Sequence, residues 1–162
     1  MKEASRLFPS ALRLQRFSFR FAEQVLNSKL ALKEEIEQIL LETIPDIAKL
    51  SRPAFNKLLN DRFVAQGWTS QPSVFDDPND PGAKMDFLKG RIDIEVGFGH
   101  ASFIGIDLLK FQVSSYSALD KINVGVYIVT ASNFQKFMKA QWGQNWEGIP
   151  YVRKSQALPA AL

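Results

Sequence analysis

The chain has 162 residues, 46% of them apolar and 23% charged, with a formal net charge of +3. That size and balance describe one ordinary globular domain rather than a disordered segment, and no apolar run reaches the roughly 18–20 residues that span a bilayer. The absence of cysteine excludes disulfides and thiolate metal sites and fits a reducing, cytoplasmic setting, and the lone histidine, His100, excludes histidine-cluster metal centres.

Charge is unevenly placed. Residues 1–20 carry Lys2, Arg6, Arg13, Arg16 and Arg20 against Glu3, whereas residues 33–46 carry Glu34, Glu35, Glu37, Glu42 and Asp46 against Lys33. The basic stretch reads either as an arm for nucleic-acid phosphates or as a solvated terminus.

Residues 11–27 have helical spacing in Leu12, Leu14, Phe17, Phe21 and Val25, so residues 1–27 form a basic helical N-terminal segment. Ser28 is placed to cap a second helix to about Ile44, with Leu32, Ile36, Ile39, Leu40 and Ile44 as its stripe and Pro45 at its end. A third helix starts at Ser51, takes Pro53 in its first turn and stops at Gly67. Residues 75–83 are a turn-rich loop; Pro78 and Pro81 stand where alternating calcium ligands would be needed, which excludes an EF-hand.

A hairpin follows, with Lys84–Leu88 and Ile92–Phe98 as arms and Lys89-Gly90-Arg91 as the turn. Ser102 opens a helix to about Tyr116, Val124–Val129 reads as a central buried strand, Ser132–Ala140 is a short helix, and residues 141–162 are an irregular tail. With no repeat or linker, residues 1–162 form a single α/β domain, a mixed β-sheet flanked by helices.

The chemistry centres on the hairpin. Asp86 and Glu95 place one carboxylate on each arm, within reach of a shared hard cation. Hydrolysing a phosphodiester requires an activated water, neutralised phosphoryl oxygens and a stabilised leaving oxygen, and magnesium supplies much of all three. Because magnesium keeps several waters, Asp86, Glu95 and the carbonyl of Val96 suffice as protein ligands. Two spaced acids alone are more often solvent-facing. Asp93 shares the Glu95 face, and Lys84 shares that of Asp86. His100 follows closely enough to act as a general base, although a lone loop histidine is more often structural. Trp68, Trp142 and Trp146 suit base stacking or, more simply, packing.

The run Asp86, eight residues, Glu95, then Phe98-Gly99, Ser102-Phe103, Asp107-Leu108-Leu109-Lys110-Phe111-Gln112 and Asn123-Val124-Gly125-Val126 resembles the type II restriction endonucleases of the BglII and BstYI kind, within the PD-(D/E)xK nuclease group. The resemblance covers roughly residues 30–140. It implies a restriction-endonuclease-like core, Mg2+ held by Asp86 and Glu95, double-stranded DNA as substrate and a homodimer on palindromic sites; the broad apolar stripe of residues 28–46 makes that helix the expected dimer-facing element.

One position departs from the family pattern. A lysine or glutamine is expected two residues after the second acid, and Gly97 stands there. Three alternatives follow: an impaired relative that binds DNA or a protein without cutting, a reaction run by metal alone, or a substitute group from elsewhere. On the helix that Ser102 opens, Gln112 and Tyr116 lie four apart on the face of Leu108, Leu109 and Val113, a pairing that resembles a motif in other nucleases of the group. Lys110 lies about 160° away from Gln112 around that helix. Only one of the two can face the metal, and Gln112 is the sequence-based choice.

Overall fold

The computed structural model describes residues 14–42, 50–76, 82–100, 102–116 and 119–146. Residues 1–13 and 147–162 lie outside them, and with them most of the basic arm and the tail, as do Asp46, Pro45 and residues 77–81 of the turn-rich loop.

Helix α1 is Ala22–Asn27, far shorter than the spacing predicts. Arg20, at φ 53°, breaks the right-handed path ahead of it, and the Ser18 hydroxyl accepts from the Glu23 amide to start the first turn late. Phe17, Phe19 and Phe21 alternate with polar residues, a period of two that competes with the helical stripe. Ser28 ends α1, its hydroxyl donating to the Val25 carbonyl at 2.7 Å, instead of capping α2 (Leu30–Glu42). In α2, Ile36 and Ile39 are buried, and Leu32 and Leu40 pack beside them, so the stripe expected to face a dimer partner is covered by the chain's own core.

Helix α3 (Arg52–Ala65) follows its local signals: the Ser51 side chain accepts from Ala54, Pro53 sits in the first turn, and Gly67 takes φ 81° just beyond the end. Phe55, Leu59 and Phe63 form its buried face. Phe63 is fully buried, stacked on Phe87 at 4.7 Å and edge-on to Trp68 at 5.3 Å.

The sheet is mixed, with order β1-β2-β3-β4 for β1 (Thr69–Ser70), β2 (Phe87–Lys89), β3 (Ile92–Gly97) and β4 (Val124–Val129). The first two pairings are antiparallel and β3–β4 is parallel. Gly90 and Arg91 close the β2–β3 hairpin, both at positive φ, as a two-residue turn with the sheet's own twist requires. The parallel pairing of β3 and β4 needs a crossover, which α4 (Phe103–Ser115) supplies. Helix α5 (Ser132–Trp142) follows β4 and ends at Gly143 in the left-handed conformation.

Strand β4, read from its apolar run as central, is instead the last strand of the described sheet, and β3 is interior. The run is apolar because both faces of β4 are covered, not because it has two strand neighbours. Val124, Val126 and Ile128 meet the main core with Phe87, Ile92 and Ile94. On the opposite face, Gly125 admits the Phe111 ring of α4 so closely that a Cβ would lie 2.5 Å from it. Trp68 and Trp146 are core residues, Trp146 packing against Phe55, Phe98 and Phe134, and Trp142 packs beside that core against Phe137.

Candidate active site

Asp86 directly precedes β2, and the pairing of Phe87 with Ile94 places it, one step further, opposite Glu95. Facing residues of an antiparallel pair have Cβ atoms about 4.5–5.5 Å apart. Period-two alternation puts Asp93, Glu95 and Gly97 on the face covered by α4, and Ile92, Ile94 and Val96 toward the main core. Both acids therefore lie on one side of the sheet. They open into a cleft of about 580 Å³, lined also by Arg52, Asn56, His100, Asp107, Lys110 and Tyr127.

Each Asp86 oxygen accepts one hydrogen bond: Oδ2 from the Val96 amide at 2.8 Å and Oδ1 from the Gln71 side chain at 3.1 Å. A lone pair stays open on each. Glu95 is almost wholly buried; Oε2 accepts from the Lys110 ammonium, and Oε1 has no hydrogen-bond partner among the described residues. Val96 lines the cleft and orients Asp86 through its N–H.

Lys110, not Gln112, is the α4 residue that reaches the acids. Besides Glu95, its Nζ meets Asp107 Oδ1 at 3.1 Å and donates to the Lys84 carbonyl at 3.0 Å. Gln112 is exposed, its amide donating to the Tyr116 hydroxyl at 3.4 Å on the far side of the helix. The expected face was wrong because α4 is apolar nearly all round: Ile104 is buried, while Leu109 is 59% exposed. Asp107, Lys110, Phe111 and Ser114 share the sheet-facing side, at spacings of three, four and seven. An ion pair three apart within an apolar helix was the available signal.

Gly97 has its own local reason. A Cβ there would lie 2.2 Å from the Tyr127 hydroxyl and 2.5 Å from its Cζ, so the tyrosine fills the space beside the strand. That hydroxyl donates to Asp107 Oδ2 at 3.1 Å. His100 is exposed at the cleft rim, with Nδ1 2.9 Å from the Ser102 hydroxyl. Lys84 is exposed and contributes only its carbonyl to the acid cluster.

The electrostatics report an excess of acid. Burial pushes Glu95 up to about 8, with Asp86 and Asp93 adding to it, against the opposing pull of the Lys110 hydrogen bond. Burial pushes Asp93 up to about 7, again against Lys110. Burial opposes the charge of Lys110, but its bonds to Glu95 and Asp107 prevail and raise its pKa. The shifts of Glu95 and Lys110 are compatible because Glu95 also faces carboxylates, whereas Lys110 faces acids. Burial, then Asp107, raises Tyr127.

Asp93 is fully buried, and neither of its oxygens has a hydrogen-bond partner among the described residues. Asp93→Asn is expected to raise the thermal midpoint at pH 8 in EDTA by roughly 4–8 °C, about 2 kcal/mol, since a neutral amide is cheaper to bury than a charge. A carboxyl held near 7 weakens the fold as pH rises toward 7 and is neutral at pH 4, where the gain shrinks. Melting curves at the two pH values that show no difference between wild type and variant would contradict this account.

The donor set suits a hard divalent ion: carboxylate oxygens with open lone pairs, one buried and unpartnered, in a cluster short of positive charge. Among the described residues no three such side chains converge on one point. Two carboxylates, a backbone carbonyl and water would make up such a shell. The family model described as Restriction endonuclease BglII/BglIII matches residues 14–157, most of the chain.

The chain belongs to the BglII/BglIII restriction endonuclease family.

No curated protein matches it closely enough to stand as a relative. Membership agrees with the mixed sheet flanked by helices, and it makes nuclease chemistry on DNA the family-level function. The BglII-type match spans α1 to α5, and so includes both acids of the hairpin and the α4 lysine. Among the described residues no helix is long and apolar enough to cross a membrane.

Proposed function

We propose that this chain hydrolyses phosphodiester bonds of double-stranded DNA in the manner of a type II restriction endonuclease, with Mg2+ held by Asp86, Glu95 and the Val96 carbonyl. The observation that carries the reading is the facing pair of acids in one cleft, with Glu95 Oε1 buried and left open. When bound, the ion supplies an activated water and neutralises charge developing on the phosphoryl oxygens. The chain's own residues set the geometry. The Val96 amide and Gln71 fix the Asp86 carboxylate, and Lys110 holds one oxygen of Glu95 while the other has no hydrogen-bond partner among the described residues.

Arg52, on the first turn of α3 with its guanidinium 3.4 Å from the Phe98 carbonyl, stands at the cleft mouth and suits a backbone phosphate. A homodimer on palindromic sites and a cytoplasmic location remain part of the proposal, on family grounds.

The test is incubation of supercoiled plasmid with the purified protein in magnesium or EDTA, following nicked and linear products through the sizing-column peak. Cutting in magnesium alone is expected. Saturating magnesium, about a hundred times its Kd, should add about 2.7 kcal/mol of stability, roughly 5–11 °C in midpoint. DNA retained without cutting at any metal concentration would point instead to a binding module and sink the proposal.

A further inference from the structure

We propose that Lys110 is the catalytic cation of this site, contacting the phosphate under attack in place of the strand side chain that Gly97 lacks, and that Asp107 and Tyr127 position it. This rests on the nuclease reading above and names the group that reading leaves open.

Three independent features of the cleft converge on Lys110. Its ammonium bonds to Glu95 Oε2 while Oε1 stays open, so one carboxylate can orient the lysine and still face an ion. Its side chain is only 12% exposed, which keeps the charge in a poorly screened place where it acts strongly on a nearby anion. The strand position that would otherwise deliver such a group is closed, because any Cβ at residue 97 meets the Tyr127 phenol at 2.2 Å.

The same phenol has a second task. Its hydroxyl donates to Asp107 Oδ2, and Asp107 Oδ1 holds the Lys110 ammonium at 3.1 Å. Closing the strand position and bracing the helix lysine are thus done by one residue. Lys110 enters three N–H bonds, to Glu95, Asp107 and the Lys84 carbonyl. The bond to the neutral carbonyl is the weakest partner in charge, and it is the one a phosphate oxygen would replace.

In the step itself, water oxygen bonds to phosphorus and its proton passes to solvent. The ester P–O bond breaks with its electron pair on the departing sugar oxygen, which takes a proton from water. Lys110 stays protonated throughout and donates hydrogen bonds to the phosphoryl oxygen on which negative charge grows.

The experiment measures plasmid cleavage, retention of duplex DNA in calcium, and thermal stabilisation by magnesium for wild type, Lys110→Met, Lys110→Arg and Tyr127→Phe. Lys110→Met should lower kcat at least about 100-fold, a larger loss than it causes in magnesium stabilisation or calcium-dependent DNA retention. Tyr127→Phe should lower kcat about tenfold with KM unchanged. If Lys110→Met does not fold, Lys110→Arg decides: it keeps the charge but not the compact ammonium geometry, and at least about a tenfold loss is expected. A folded Lys110→Met, or failing that Lys110→Arg, that cuts at the wild-type rate overturns this inference and leaves the metal nuclease standing. Wild-type protein inert in magnesium overturns the reading beneath it. Wild-type kcat and KM in Tyr127→Phe remove the positioning role.

Discussion

Asp86→Asn and Glu95→Gln are each expected to slow magnesium-dependent plasmid cleavage by at least about 10³-fold, or about 4 kcal/mol of barrier, with the fold intact. Both replacements keep shape and remove charge. At position 86 an amide oxygen can still accept from the Val96 N–H at the end of β3, so the hairpin keeps the bond that anchors Asp86 and no buried donor is orphaned. At position 95 the lysine keeps Asp107 and the Lys84 carbonyl as partners. The loss is therefore assigned to the missing anionic ligand. Calorimetric titration should show magnesium binding weakened in both variants, and the magnesium-induced rise in thermal midpoint should disappear. A variant that cuts within tenfold of wild type would remove that acid from the site.

What the sequence disclosed of this arrangement follows the range of the forces involved. Helix α3 was legible to its ends because Ser51, Pro53 and Gly67 act on neighbouring backbone. The hairpin was legible because a glycine-containing turn separates two strand-like runs, but its register was not: Lys89, read as part of the turn, lies in β2 opposite Ile92, and the two-residue turn Gly90-Arg91 is what sets Asp86 opposite Glu95. The late start of the first helix was signalled only by the alternation of Phe17, Phe19 and Phe21, since spacing does not reveal that Arg20 adopts a left-handed backbone. The two-residue β1 is too short for any periodicity.

The face of α4 was the consequential miss, and its cause lies outside the helix. Ile104, Ile106, Leu108, Leu109, Phe111 and Val113 surround the axis, so no apolar stripe selects a side. Two strand glycines select it. Gly125 admits Phe111, Gly97 admits Tyr127, and between them the helix is turned so that Asp107 and Lys110 meet the acids of β3. Those contacts join positions far apart in the chain, which spacing within one element cannot reveal.

Gly97→Ala is accordingly expected to destabilise the protein by about 3 kcal/mol, lowering its midpoint roughly 6–12 °C, although alanine ordinarily suits a strand better than glycine. The added Cβ meets Tyr127 at 2.2 Å from the hydroxyl and 2.5 Å from Cζ, well inside any van der Waals contact. Tyr127 has little freedom to yield: its hydroxyl is bonded to Asp107, and its ring stands edge-on to Phe111 at 6.4 Å. A displaced ring would also leave Asp107 short of a donor and loosen Lys110, so cleavage should fall with stability. Tyr127→Phe should not relieve the clash, because the ring carbon at 2.5 Å remains. Tyr127→Ala should relieve it, leaving Gly97→Ala nearly neutral in that background, a coupling of about 3 kcal/mol in a double-mutant cycle. Strict additivity of the two substitutions in chemical denaturation would show that the tyrosine does not fill this space. With coupling present, Gly97 is the room that one side chain needs to steady another, and the lysine arriving from α4 takes the place that the strand could not furnish.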